Sequence, residues 1–192
     1  LTTRNHSLFF DLPAVIAMDG GDMWQPQHGA RIGVMPRHGT NVDVRWFDID
    51  PCYVFHFLNA WEIGDVITAY GCRMPSIDLD FEGRQDDLAE LTTMKGVGLA
   101  KWTIDLAGGT CTEELVHDLR SDFPRLHDDL LGLPQRWGYA STTLDGPMTI
   151  GFNGLVRYDL DTGADLTYAF GEGTVIGEAV FAADPTGSSE QD

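Results

Sequence analysis

Apolar residues along this chain come in short runs broken by glycine, proline and acidic pairs, and several of the runs alternate with polar positions. Runs of that length bounded by turn chemistry predict strands. The candidates are "SLFFDL", "AVIAMD", "RIGVMPR", "VRWFDI", "YVFHFLNAWE", "DVITAYGC", "GLAKWTIDL", "RWGYAST", "GLVRYDL", "DLTYAF" and "GEAVFAA". Turn signals separate them at Asp19-Gly20-Gly21, Gly108-Gly109, Asp145-Gly146 and Asp161-Thr162-Gly163. One stretch, "GRQDDLAELTTM" at residues 83–94, reads equally as a short helix or an acidic loop. The pattern predicts an all-β fold.

A weak repeat refines that class. "VRWFDID", "AKWTIDLAGGT" and "LVRYDLDTGA" share an aromatic residue, an aspartate and a turn, with Asp48, Asp105 and Asp159 in register. "FFDLP", with Asp11, reads as a degenerate fourth copy. A period of about 50 residues carrying several short strands suggests β-propeller blades, each ending in an outer hairpin. Three to four blades leave open edges that a closed ring would lack, so residues 1–192 are expected to be one segment of a larger propeller, truncated at both ends.

Within "YVFHFLNAWE", strict alternation sends Tyr53, Phe55 and Phe57 to one face and Val54, His56 and Leu58 to the other. His56 then lies on a mostly apolar face, where an imidazole needs a partner. It is either a core histidine satisfied by a carbonyl or a metal ligand facing a cavity.

Charge and cysteine usage narrow the partners. The hydrophobic content of 43% suits a globular protein, and no apolar run is long enough to span a bilayer. The start has no basic region ahead of an apolar one, as a secretory leader would. A net charge of −18 repels phosphate backbones and argues against nucleic acid as a partner. Cys52, Cys72 and Cys111 form no C-x-x-C pair and suggest reduced thiols in a cytoplasmic protein. Six histidines are present, and none has zinc spacing with another histidine or a cysteine. His28, His38, His117 and His127 are expected to be solvated loop residues. No G-x-S-x-G, P-loop or G-x-G-x-x-G occurs.

"RIGVMPR" followed by "WFDIDPCYVFHFLNAWEIGD", then "KWTIDLAGGTCTEE", "DFPRLHDDLLGLPQRWGYA", "GLVRYDLDTG" and "GEAVFAADPTGSSEQD", resembles the carotenoid cleavage oxygenases and their stilbene-cleaving branch in order and spacing. The resemblance implies a seven-bladed β-propeller with Fe(2+) on its axis, held by four histidines from four blades. Glutamates behind those histidines orient them. His56 matches one iron ligand, and Glu178 matches a glutamate expected to accept a hydrogen bond from it. The other three ligands would lie outside this chain. Thr3 matches the threonine that follows a His-Asp pair in the family, and His6 aligns with an aromatic position rather than a ligand. Leu58 stands where bacterial relatives often have a small residue or proline. Asp122 replaces the glutamate of the family's E-F-P motif, which calls one structural hydrogen bond into question.

The implied activity is that of a non-haem Fe(II) dioxygenase. It would take molecular oxygen and an apolar conjugated olefin (a carotenoid, apocarotenoid or stilbene) and release two carbonyl products. Peripheral membrane contact for substrate uptake is a further expectation. The alternative is a non-catalytic propeller that serves as a binding platform. A lactonase-type propeller would need Asp, Asn and Glu ligands on the axis, and the aromatic-flanked His56 argues against it.

Overall fold

The computed structural model describes residues 1–13, 24–77, 96–144, 151–187 and 189. Eleven strands form three antiparallel sheets among the described residues. The first sheet contains β1 (His6–Asp11), β2 (Ala30–Pro36) and β3 (Arg45–Ile49). The second contains β4 (Tyr53–Ile63), β5 (Val66–Met74), β6 (Gly98–Asp105) and β7 (Thr110–His117). The third contains β8 (Ser121–Arg125), β9 (Trp137–Thr142), β10 (Gly154–Asp159) and β11 (Ala164–Ala169). Each sheet is a meander in chain order, and helical structure among the described residues is confined to short 3-10 turns.

The sheets are stacked with the second in the middle. Leu8, Ile32, Val34 and Phe47 of the first sheet bury against Val54, Ala60, Ile67, Ala69, Trp102 and Ile104 of the second. A separate cluster joins Leu58, Tyr70 and Leu99 of the second to Ala140, Val156 and Tyr158 of the third and to Leu126, which follows β8. Successive meanders packed face to face are propeller blades, three of them here.

The repeat has a structural cause. At the β6–β7 and β10–β11 hairpins the backbone N–H groups of Gly109 and Gly163 donate to the carbonyls of Asp105 and Asp159, both at 2.8 Å. Asp105 Oδ1 also accepts from the Gly108 N–H at 2.8 Å, and Asp159 Oδ1 accepts from Asp161 at 3.2 Å. Gly109 and Gly163 have φ of 70° and 71°, which a side chain would oppose.

Three expectations are corrected. β7 and β8 are strands that the apolar pattern does not announce. Glu113 of β7 accepts from Trp102 Nε1 at 2.8 Å and pairs with Arg73 at 2.5 Å, so an edge strand carries acids without losing its place. β8 is also an edge strand, and its Pro124 falls within a bulge that needs no ladder N–H. Conversely, "GEAVFAA" forms no strand. After the isolated bridge between Phe152 and Ile176, this segment is held by side chains, with Ser141 Oγ donating to the Gly177 carbonyl at 2.8 Å. The "AVIAMD" and "GRQDDLAELTTM" stretches lie outside the described residues.

His117 is the third correction. It is buried at the end of β7, its ring 4.6 Å from that of Tyr158, its Nδ1 3.7 Å from Asp165 and its Nε2 without a partner among the described residues. Burial pushes its pKa below the ordinary value, with Asp165 and Asp118 opposing in part. The neutral ring is therefore favoured in the fold, and its contribution to stability, complete above about pH 6.5, is lost as pH falls toward the lowered value. Denaturant melts of the full-length protein at pH 8 and pH 5 check this. A His117→Leu variant should lose less stability on acidification than wild type, and equal losses would assign the pH dependence elsewhere.

Candidate metal-ligand site

β4 does not alternate. Its pairing with β5 slips twice, between Val54 and Phe57 and between Phe57 and Asn59. The slips turn Phe57 to the same side as Val54, where its ring lies 4.3 Å from Phe10, while Leu58 faces the opposite cluster. Phe57 crosses β5 at Gly71, where an added Cβ would stand 2.9 Å from the Phe57 ring. A bulge of this kind re-aims the residue it displaces. That residue is His56, whose ring leaves the apolar core and points across to β8.

His56 is 44% exposed, and its Nδ1 lies 3.0 Å from Asp122 Oδ1. The same carboxylate oxygen accepts the Phe123 backbone N–H at 2.9 Å. Asp122 is only 20% exposed, and burial raises its carboxyl above the usual range, against the hydrogen bonds from Phe123 and His56. β8 is held by Ser121, whose Oγ accepts from the Tyr158 hydroxyl at 2.7 Å. Phe123 has φ 53°, the only positive value at a non-glycine residue among those described. A bulky side chain there costs on the order of 1–3 kcal/mol. The rings of Phe123 and Phe55 stand 4.9 Å and 6.3 Å from that of His56, and Phe152 packs edge-on to Phe123 at 5.6 Å.

An imidazole with Nδ1 on a carboxylate has a fixed plane and presents Nε2 as the free electron pair, the arrangement that metal-bound histidines show. His56 Nε2 makes no hydrogen bond among the described residues. The expected pairing with Glu178 is not formed in this structure. Glu178 instead accepts from Arg125 Nη2 on the surface, and Asp122 holds His56. The reason lies in the fold: β8 packs beside β4, whereas residues 177–179 lie against Arg125 of β8 and Ser141 of β9. The E-F-P position was the signal for this contact, since aspartate there keeps the carboxylate and not merely a structural bond.

The other histidines stand apart. His6 Nδ1 is 2.7 Å from Glu62, which also accepts from Thr3 Oγ1 at 2.8 Å and from Asn5. Burial alone would raise the Glu62 carboxyl, but these bonds outweigh it and hold the group below its ordinary value. This tie between the N-terminal segment and β4 was not foreseen. His28 and His38 are exposed as expected, and His127 is half-buried with Nδ1 accepting the Asp129 N–H at 3.2 Å. Among the described residues no group of three metal-binding side chains gathers. The three thiols are free. Burial raises Cys52 to about 12 and Cys111 to about 11, with Cys72 pushed further, so none is a ready nucleophile. A cleft of about 430 Å³ is lined by residues including Leu8, Phe10, Asp11, Tyr53, Val54 and Phe57, and none of His56, Asp122 or Phe123 lines it.

The family model described as retinal pigment epithelial membrane protein matches residues 1–192. A carotenoid cleavage oxygenase of Mycobacterium tuberculosis is 36% identical over 180 residues, covering 88% of this chain and 34% of that protein. The chain belongs to the carotenoid cleavage oxygenase family.

Another relative of this oxygenase-family chain is the isoeugenol monooxygenase of Pseudomonas nitroreducens, 33% identical over 133 residues and covering 64% of this chain and 27% of that protein. Two solved structures share its fold. The lignostilbene dioxygenase of Pseudomonas brassicacearum aligns with a TM-score of 0.83 at 23% identity, covering 99% of this chain and 43% of that one. A Synechocystis apocarotenoid oxygenase aligns with a TM-score of 0.82 at 22% identity, covering 99% and 41%. The chain thus spans about a third of the length of the curated relatives it matches. Its three sheets are part of the β-propeller that these oxygenases share.

Proposed function

We propose that this chain supplies one ligand, His56 Nε2, to the iron of a non-haem Fe(II) dioxygenase that cleaves a conjugated C=C bond to two carbonyl products. The single observation that carries the reading is the His56–Asp122 pair, a half-exposed imidazole oriented by a partly buried carboxylate and flanked by aromatic rings. Neutral imidazole nitrogen suits ferrous iron, and the donor present here fits it. Bound iron would activate molecular oxygen toward the double bond. The chain's own tasks are to hold the His56 plane, to keep Nε2 free, and to surround it with the apolar faces of Phe55 and Phe123.

The substrate would be an apolar olefin of the carotenoid, apocarotenoid or stilbene class, the classes that the relatives' names support. An apolar substrate makes peripheral membrane contact a part of this proposal, and the protonated thiols are compatible with a cytoplasmic setting. The partners are oxygen and the olefin.

The test is iron analysis and olefin-cleavage assays on the full-length protein and two variants. About one iron per chain with cleavage supports the reading, and a folded, iron-free protein supports the binding platform. Asp122→Asn should lower iron affinity or rate by about 10–100-fold, because the charge behind the ligand is lost. Glu178→Gln, on an exposed ion pair, should be nearly silent. The opposite ranking would return Glu178 to the role expected from the sequence.

A further inference from the structure

We propose that Phe123 is the positioning residue that locks His56 onto Asp122, and that its left-handed backbone exists for this purpose. The inference deepens the reading of His56 as a metal ligand, on which its metal arm rests. Three contacts converge on one residue. Its backbone N–H donates to Asp122 Oδ1 at 2.9 Å, the same atom that faces His56 Nδ1 at 3.0 Å. Its ring lies 4.9 Å from the imidazole, tilted by 49°. Phe152 braces that ring edge-on from behind.

The backbone makes all three contacts compatible. Asp122 pairs with Ser141 and Arg125 with Tyr139, so the ladder slips across Phe123 and Pro124. A residue in regular β conformation would spend its N–H on the strand ladder or on solvent. Here the Phe123 N–H is spent on the preceding side chain, and φ 53° sets the direction in which the Phe123 Cβ leaves that amide, which carries the ring to the imidazole. The N–H bond restrains rotation of the Asp122 carboxylate and leaves a second lone pair of Oδ1 for His56. The imidazole is then confined by a hydrogen bond at Nδ1 and by an aromatic wall. Strain at a bulky residue persists only where its surroundings over-determine it, and here the hydrogen bond and the two rings do so. Glycine would take this φ without strain but would leave the wall absent.

The test uses the full-length protein with its histidines labelled with ¹⁵N. Phe123→Gly keeps the backbone N–H and the left-handed geometry, and removes the ring. Phe123→Leu keeps apolar bulk and stands in should the glycine variant fail to fold. Phe123→Tyr restores an aromatic ring. In metal-free protein, solvent exchange of the His56 Nδ1–H should accelerate about tenfold in the glycine variant, by a smaller factor in the leucine variant, and return to the wild-type rate with tyrosine. Fe(II) affinity should follow the same order, falling about tenfold in the glycine variant. Wild-type exchange in folded Phe123→Gly or Phe123→Leu would overturn the proposal. If His56→Ala leaves iron content unchanged, the ligand reading fails by itself, and the exchange rates still decide the role of Phe123.

Discussion

Replacing His56 with alanine in the full-length protein is expected to abolish olefin cleavage and to strip most of the iron. The substitution removes the imidazole that matches the family's iron ligand, and among the described residues no other histidine joins it in a metal-binding group. His6 is engaged by Glu62, while His28 and His38 lie exposed in loops of the first sheet. The variant should still fold, because His56 sits in a bulge outside both core clusters and is 44% exposed. Metal analysis beside a melting curve separates the two effects. An unchanged melt with lost iron is the expected result, and full iron with full turnover would remove His56 from the site. Alanine at His28 or His38 should change neither measurement.

Trp102→Ala is expected to produce the largest loss of stability. Trp102 is completely buried in the middle sheet, where its ring meets Phe10 edge-on at 5.3 Å and Phe57 at 6.4 Å. Its indole N–H is also the donor to Glu113. Removing a buried tryptophan ring costs about 3–5 kcal/mol through lost transfer energy and the cavity left behind. That is a large share of the roughly 5–15 kcal/mol that keeps a domain folded. Losing the donor to Glu113 adds to the cost, since among the described residues the carboxylate then keeps Arg73 alone. Denaturant midpoints in the full-length protein measure the change. A shift worth less than about 1 kcal/mol would mean that the interface between the first two sheets carries little of the stability.

Much of the fold is legible in the chain because blade physics is local. The runs at β2, β5, β6 and β10 alternate or are continuously apolar, and those at β2, β6 and β10 end in a glycine- or aspartate-bearing turn. The Asp105 and Asp159 turns repeat because their hydrogen bonds close within five residues. β7 and β8 were missed for an equally physical reason. Their acids and proline are tolerated by edge positions, charged neighbours and a bulge, none of which sequence pattern records.

The site divides the same way. From the sequence alone followed the all-β class, the propeller repeat, His56 as the residue to watch and, through resemblance, its chemistry. Only the tertiary structure decided where His56 points and what holds it. Two register slips in β4 overrule the alternation that would have buried it. Asp122, 66 residues further along, reaches it because β8 packs beside β4. Glu178 looked the better partner on motif order, but a hydrogen bond is set by position in space, and there Arg125 claims that carboxylate. Alternation and turn chemistry act between near neighbours in the chain, whereas a partner across two sheets exists only after both have packed.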